Sequence, residues 1–168
     1  MSRRRHVVDL NKKNPCYRMH RAIPEYLQTL SDEKYGLFMR SLNETYLKGK
    51  KVEIEEPQDK AMFNIFKTIL DYENIVKRKK GDRSKKLQKR HRIDFHSIDP
   101  SFQMNRVIPE YISFLPDEKK LMFYHSMTEV YLQRNEVSFG DPKDHALFNL
   151  FTTILDYENI VVGERRKL

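Results

Sequence analysis

Four acidic residues invite a chemical reading first. Asp71-Tyr72-Glu73-Asn74 recurs unchanged as Asp156-Tyr157-Glu158-Asn159. Paired carboxylates could pass protons as general acid and base, or hold a cation through oxygen ligands. On a helix, however, residues two apart point to different faces. Asp71 therefore does not converge with Glu73, nor Asp156 with Glu158. The expected arrangement is a helix end with Tyr72 packed inside and the acids and Asn74 outside, where they offer a polar contact surface. The histidines are His6, His20, His91, His96, His125 and His145, and no pair has the spacing of a helical metal motif with an acid between. Cys16 is the sole cysteine, which excludes an intramolecular disulfide and a cysteine metal cage, and no base neighbours it in sequence. The five glycines are scattered and form no phosphate-cradling loop. No catalytic, cofactor-binding or metal-ligating residue is assigned, and a function without catalysis is expected.

The elements that position the tetrad are themselves repeated. From Ile23 and Ile108 onward the chain matches itself without a gap at an offset of 85, with about half of the positions identical. That period is too long for a solenoid repeat, so two small tandem domains are expected. Pro24 suits the first turn of a short helix, and Ser31-Asp32-Glu33 begins a second, with Ser31 or Asp32 as cap and acids at the positive end of the dipole. Tyr35, Phe38, Leu42, Thr45 and Tyr46 then share one face, as do Met122, Phe123, Met127, Val130 and Tyr131 in the copy. Lys48-Gly49-Lys50-Lys51 ends that helix. Val52-Glu53-Ile54-Glu55-Glu56 reads as a short extended connection. Pro57 and Pro142 open a third helix with the core stripe Ala61, Met62, Ile65, Phe66, Ile69 and Leu70. The fold class expected is all-α: two tandem three-helix domains of mainly antiparallel helices. Their order is a basic N-terminal arm over 1–16, helical repeat 1 over 17–76, a basic linker over 77–92, helical repeat 2 over 93–162 and a basic tail over 163–168. The arm is expected to lie over the surface or to be disordered.

Charge divides along the same lines. The formal net charge is +8 over 168 residues. Residues 1–21 carry +6 and residues 77–92 carry +9, whereas the bodies 22–76 and 93–168 carry −3 and −4. Basic segments attached to mildly acidic bodies suit two different contact surfaces. On the acidic side the candidates for partner binding are Asp71, Glu73, Asp156, Glu158, Glu53, Glu55 and Glu56. On the basic side they are Lys77, Arg78, Lys79, Lys80, Arg83, Lys85, Lys86, Lys89, Arg90 and Arg92, which could meet a protein partner or nucleic acid. The basic segment has no interleaved aromatics, and no helix-turn-helix, zinc-finger or RNA-binding sheet signature occurs. No run approaches the ~18 apolar residues of a membrane span, and no apolar run follows the basic start, so a soluble, cytoplasmic protein without membrane contact is expected. The limited core of each repeat favours packing together or a homodimer.

The motif order carries a resemblance. Ile23-Pro24-Glu25-Tyr26, then Asp32-Glu33, Tyr46, Asp59-Lys60-Ala61-Met62-Phe63-Asn64 and Leu70-Asp71-Tyr72-Glu73-Asn74 follow the sequence of a small helical domain common in proteins of Gram-positive phages and prophages. The likeness covers about 55 residues in each repeat, and its motifs are structural. Length, duplication and charge pattern are also similar to those of staphylococcal phage inhibitors of replication that target the host sliding clamp. That resemblance implies a phage host-takeover protein in the cytoplasm of the infected bacterium, without cofactor. It would bind the bacterial DNA polymerase III sliding clamp in its DNA channel and block loading onto DNA. Acidic bodies would enter the basic channel and basic arms would grip acidic rims. Gln58-Asp59-Lys60-Ala61-Met62-Phe63 is the nearest approach to a clamp-pocket peptide, but Met62 and Phe63 are expected in the helix core. The alternative is direct nucleic-acid binding through the arm and linker.

Overall fold

The computed structural model describes residues 4–77 and 89–162. The chain divides into two compact units, Met1–Leu87 and Gln88–Leu168. Each repeats the order strand, short helix, two long helices, strand. The first unit holds β1 (His6–Asp9), α1 (Ala22–Leu27), α2 (Asp32–Lys48), α3 (Pro57–Glu73) and β2 (Asn74–Lys77). The second holds β3 (His91–Asp94), α4 (Val107–Ile112), α5 (Asp117–Tyr131), α6 (Pro142–Glu158) and β4 (Asn159–Val162).

The all-α expectation is therefore wrong. β1 pairs in parallel with β2, His6 opposite Asn74, and β3 pairs in parallel with β4, His91 opposite Asn159. Parallel neighbours need a long crossover, and here the three helices supply it. Within the N-terminal arm, His6–Asp9 belongs to the fold as β1, with Val8 fully buried. Ile93 does the same for β3, a strand that begins inside the stretch read as linker. Asp9 and Asp94 then turn the chain, each carboxylate accepting the N–H two residues on, from Asn11 at 3.0 Å and His96 at 2.9 Å.

The helix boundaries follow local chemistry. Ser31 caps α2 through the Lys34 N–H at 3.3 Å, and Asp32 and Glu33 occupy its first turn. Gly49 ends the helix in the left-handed region at φ 65°, where a Cβ would stand 2.7 Å from the Leu10 side chain. Its counterpart Arg134 takes φ 60° and lays its guanidinium over the Phe95 ring, 4.1 Å from the centroid. Pro57 and Pro142 open α3 and α6, with Glu56 and Asp141 as side-chain caps.

The long helices run parallel, not antiparallel. Lys34 near the start of α2 pairs with Asp59 near the start of α3, and Tyr46 near the end of α2 meets Asp71 near the end of α3. Lys119 with Asp144 and Tyr131 with Asp156 repeat this in the second unit. A 17-residue helix is about 25 Å long, and the segment 49–56 can reach about 26–29 Å when extended. It runs back along the bundle, tucking in Ile54 and leaving Glu53, Glu55 and Glu56 in solvent.

Aromatic side chains fill each core. Phe38 meets Phe66 edge-on at 5.2 Å, and Phe123 meets Phe151 in the same way at 5.4 Å. Tyr26 and Tyr111 of the short helices pack beside those same phenylalanines. Tyr35, expected on the core face, is instead exposed.

Candidate functional site

The duplicated tetrad closes a joint where each unit's last helix becomes its last strand. Helix α3 stops at Glu73 because Asn74 turns to φ −129°, ψ 147° and the β-branched Ile75 and Val76 continue as a strand. The carbonyls left open at the helix end need donors. Arg5 supplies them, its guanidinium donating to the carbonyls of Asp71 at 2.5 Å and Asn74 at 2.9 Å. Arg90 repeats this on Asp156 and, at 2.8 Å, on Asn159.

Asn74 is almost wholly buried and ties three segments together. Its Oδ1 accepts the Arg18 N–H at 2.7 Å, and its Nδ2 donates to the carbonyls of Arg18 and Leu70, both at 2.9 Å. Asn159 makes the same set with Gln103 and Leu155. Asp71 accepts the Tyr46 hydroxyl at 2.7 Å, and Asp156 accepts that of Tyr131 at 2.7 Å. Tyr17 and Phe102 cover those tyrosines, with ring centroids 5.4 Å apart in both units.

The placement corrects the outward reading of the tetrad. Glu73 and Asn74 face inward and Tyr72 is only half-buried. Glu73 lies 3.7 Å from the Arg18 guanidinium, and Glu158 accepts the Asn105 amide at 2.6 Å. Asp71 and Asp156 keep part of their surface in solvent while their oxygens serve the tyrosines. Burial, reinforced by the neighbouring carboxylate, raises the Tyr46 and Tyr131 hydroxyls far above the usual phenol range. Burial also pushes the Asp156 carboxyl up, opposed by the Tyr131 hydrogen bond and the Arg90 charge. The Tyr46 and Tyr131 hydroxyls hold their protons tightly and are engaged by Asp71 and Asp156, so the joint fixes how each unit closes.

The other candidates separate into two sets. Glu53, Glu55 and Glu56 are exposed beside the helix starts that carry Asp32 and Glu33. Lys34 stands among them, bound to Asp59 and 3.5 Å from Glu56, and the Asp59 hydrogen bond raises its pKa. The second unit has Asp117, Glu118 and Asp141 there, but Ser138 and Gly140 replace Glu53 and Glu55. Of the basic candidates, Lys77, Lys89 and Arg92 are exposed, whereas the Arg90 guanidinium is spent on the joint. Arg78, Lys79, Lys80, Arg83, Lys85 and Lys86 lie outside the described residues, as does the tail 163–168.

Sequence reasoning missed Arg5, and it read Arg90, His6 and His91 without their structural roles. His6 and His91 reach the carbonyls of Cys16 and Ser101 at 2.8 and 2.9 Å, pinning the segment after each strand. His20 and Asn105 accept the first N–H of α1 and α4. Among the described residues no group of His, Cys, Asp and Glu side chains is arranged to hold a metal, and no helix is long and apolar enough to cross a membrane. Comparison with family models, curated proteins and solved structures returns no significant match.

Proposed function

We propose that the protein is a non-enzymatic binding protein of phage origin that engages a basic protein surface of its bacterial host. The surface we name is the DNA channel of the replication sliding clamp, which it would occupy so that the clamp cannot load onto DNA. The observation that carries this reading is the acidic end of the first unit. There Asp32, Glu33, Glu53, Glu55 and Glu56 are exposed, with Lys34 3.5 Å from Glu56 and exposed Lys51 and Lys60 close by in the chain. Both helix starts and the end of the returning segment 49–56 meet there, where Lys34 pairs with Asp59 and approaches Glu56. Fixed negative charge of this kind speeds encounter with a positive surface and selects against acidic ones. The resemblance to phage clamp inhibitors supplies the identity of the partner.

Direct nucleic-acid binding is the competing reading, supported by exposed Lys12, Lys13, Lys77, Lys89 and Arg92. One experiment separates them. The purified protein is titrated into bacterial sliding clamp, and separately into duplex DNA, across a salt series. The clamp reading expects a complex that excludes DNA from the ring, and an E53Q/E55Q/E56Q variant that associates roughly tenfold more slowly at low salt. DNA binding with a steep salt slope and no clamp complex would replace it by the nucleic-acid reading.

A further inference from the structure

Six lysines of the first unit gather at the end of α2, brought there from three separate segments. The Leu10 N–H donates to the Lys77 carbonyl at 3.1 Å, so the turn after β1 starts beside the last residue of β2. The Leu10 side chain lies so close to Gly49 that a Cβ there would stand 2.7 Å from it, which sets the same turn against the end of α2. Lys12 and Lys13 lie on that turn, closed by the Lys12 N–H on the Asp9 carbonyl at 3.2 Å. Lys48, Lys50 and Lys51 flank Gly49, and Lys77 ends β2. All six are exposed, as are Asn11 and Asn14. The acids of these segments are engaged. Asp9 accepts the Asn11 N–H, and Glu44 pairs with Lys48 at 2.9 Å and Lys50 at 3.4 Å. Beyond them, Asp71 holds the Tyr46 hydroxyl and exposed Glu53 follows two residues after Lys51.

The fold does not require this charge. The second unit builds the same corner from Phe95 and Arg134 in place of Leu10 and Gly49. Ser97, Ile98, Gln133, Asn135, Glu136 and Val162 stand there for the six lysines, and Asp99 for Asn14. Residues 9–14, 44–51 and 77 carry a net +4, whereas 94–99, 129–136 and 162 carry −3. A lysine in a last helical turn favours the dipole, which accounts for Lys48. Yet Glu129 in the second unit is served by the Asn135 amide at 2.6 Å, without any lysine.

The chemistry of the cluster selects its partner. Interfaces between proteins are depleted in lysine and centre on apolar or aromatic side chains. The large exposed apolar residues of the first unit, Val7 and Tyr35, both lie outside these segments. That absence also leaves no apolar anchor for a lipid surface. The cations are all lysines, so the planar fork by which arginine grips carboxylates is missing. Flexible point charges with exposed amide donors match phosphates, which lysine and asparagine contact without reading sequence. We propose that this end of the first unit binds the phosphate backbone of nucleic acid through Lys12, Lys13, Lys48, Lys50, Lys51 and Lys77. Asp32 and Glu33 stand at the other end of α2, about 25 Å away, which is about three Debye lengths at physiological salt. The two ends can therefore meet different partners.

The full chain carrying K12Q/K13Q/K51Q/K77Q, which leaves the Glu44 pairs intact, is compared with the parent. An equal-charge control, R21Q/R40Q/R106Q/K143Q, takes its changes from exposed positions elsewhere. The probes are a duplex DNA of about 20 base pairs and its single strand, followed by fluorescence anisotropy from about 50 to 200 mM salt. All substituted side chains are exposed, so thermal unfolding should hardly move. The cluster variant should lose affinity on the order of 100-fold at low salt, and its salt slope should fall by about 3 to 4. The control should stay within about tenfold of the parent. Either form of DNA supports the assignment, and the tighter one names the ligand. Equal losses in both variants overturn it, because charge would then act from anywhere on the surface. A parent that binds neither form at low salt overturns it as well. So does a cluster variant that keeps its DNA affinity while losing binding to phosphatidylserine vesicles or to sliding clamp. Clamp binding by the parent is a separate readout: its failure removes the clamp reading and leaves the lysine site standing, and its success does not rescue a chain that ignores DNA.

Discussion

Replacing Asn159 by alanine should unlock the joint of the second unit. The side chain is 4% exposed and makes three hydrogen bonds: it accepts the Gln103 N–H at 2.7 Å and donates to Gln103 O at 3.0 Å and Leu155 O at 2.8 Å. Each bond contributes about 0.5–1.5 kcal/mol net, and each group stranded by its loss costs about 1–3 kcal/mol when water cannot reach it. The part-buried Gln103 groups regain some water, so the sum is about 2–4 kcal/mol. For a unit of this size 1 kcal/mol moves the melting temperature by ~4–8 °C, which puts the expected drop on the order of 10–30 °C. Asn159→Asp is the sharper control. A carboxylate accepts the Gln103 N–H as well as the amide does, but it cannot donate to either carbonyl. At neutral pH it should be no more stable than the alanine variant. Urea unfolding followed by circular dichroism measures both, with hydrogen exchange locating the loss at Gln103 and β4. A loss under about 0.5 kcal/mol, or an aspartate variant as stable as the parent, would refute the view that this amide holds strand, helix end and linking segment together.

Asp156 makes stability depend on pH with a defined sign. Its folded pKa is raised by burial, so its contribution is present in full below the ordinary carboxylate value and fades as pH rises through the folded value. The parent should therefore lose stability relative to Asp156→Asn as pH rises over that window in paired urea titrations, and a parent that gains stability relative to the variant would contradict the assignment. Gly49→Ala should cost about 1–2 kcal/mol for the left-handed backbone, plus the strain of a Cβ 2.7 Å from Leu10. Arg134→Gly, at the same backbone conformation, should cost less than Gly49→Ala, because relief of that strain offsets part of what the arginine's contacts, the Phe95 ring among them, contribute. Thermal unfolding of both variants checks the pair, and equal large losses would mean that backbone handedness is not what sets the cost.

Much of the helical scaffold is legible in local chemistry. Ser31, Pro57, Pro142 and Gly49 mark boundaries because caps, proline at a first turn and a left-handed glycine act within a few residues of themselves. The strands are illegible for the opposite reason. His6–Asp9 offers one inward residue, Val8, and its hydrogen-bond partner lies 68 residues away, from His6 to Asn74. A four-residue strand carries too little alternation to announce itself. A signal was present nonetheless: the offset of 85 continues behind Ile23 through Arg5, His6, Asp9 and Pro15, which match Arg90, His91, Asp94 and Pro100. Glu73 was equally readable, since it continues the stripe of Phe66, Ile69 and Leu70 at helical spacing and therefore faces the core with them. Charge counting concealed Arg90, because a guanidinium serving helix carbonyls adds to the total as fully as one in solvent. The parallel course of α2 and α3 rests on pairs 25 residues apart, Lys34 with Asp59 and Tyr46 with Asp71, which no local pattern displays.

What the duplication preserves and what it lets drift have different physical causes. The joint residues Arg5, Tyr46, Asp71 and Asn74 recur because each satisfies a backbone group or a buried hydroxyl that both units contain. Their recurrence therefore says how the unit closes, not what it binds. Outward positions carry no such constraint, and there the units diverge in opposite directions. The first unit carries Glu53 and Glu55 where the second has Ser138 and Gly140, and the second carries Leu121 and Tyr124 where the first has Gly36 and Met39. If two copies of one contact were needed, both faces would be held alike by the same demand.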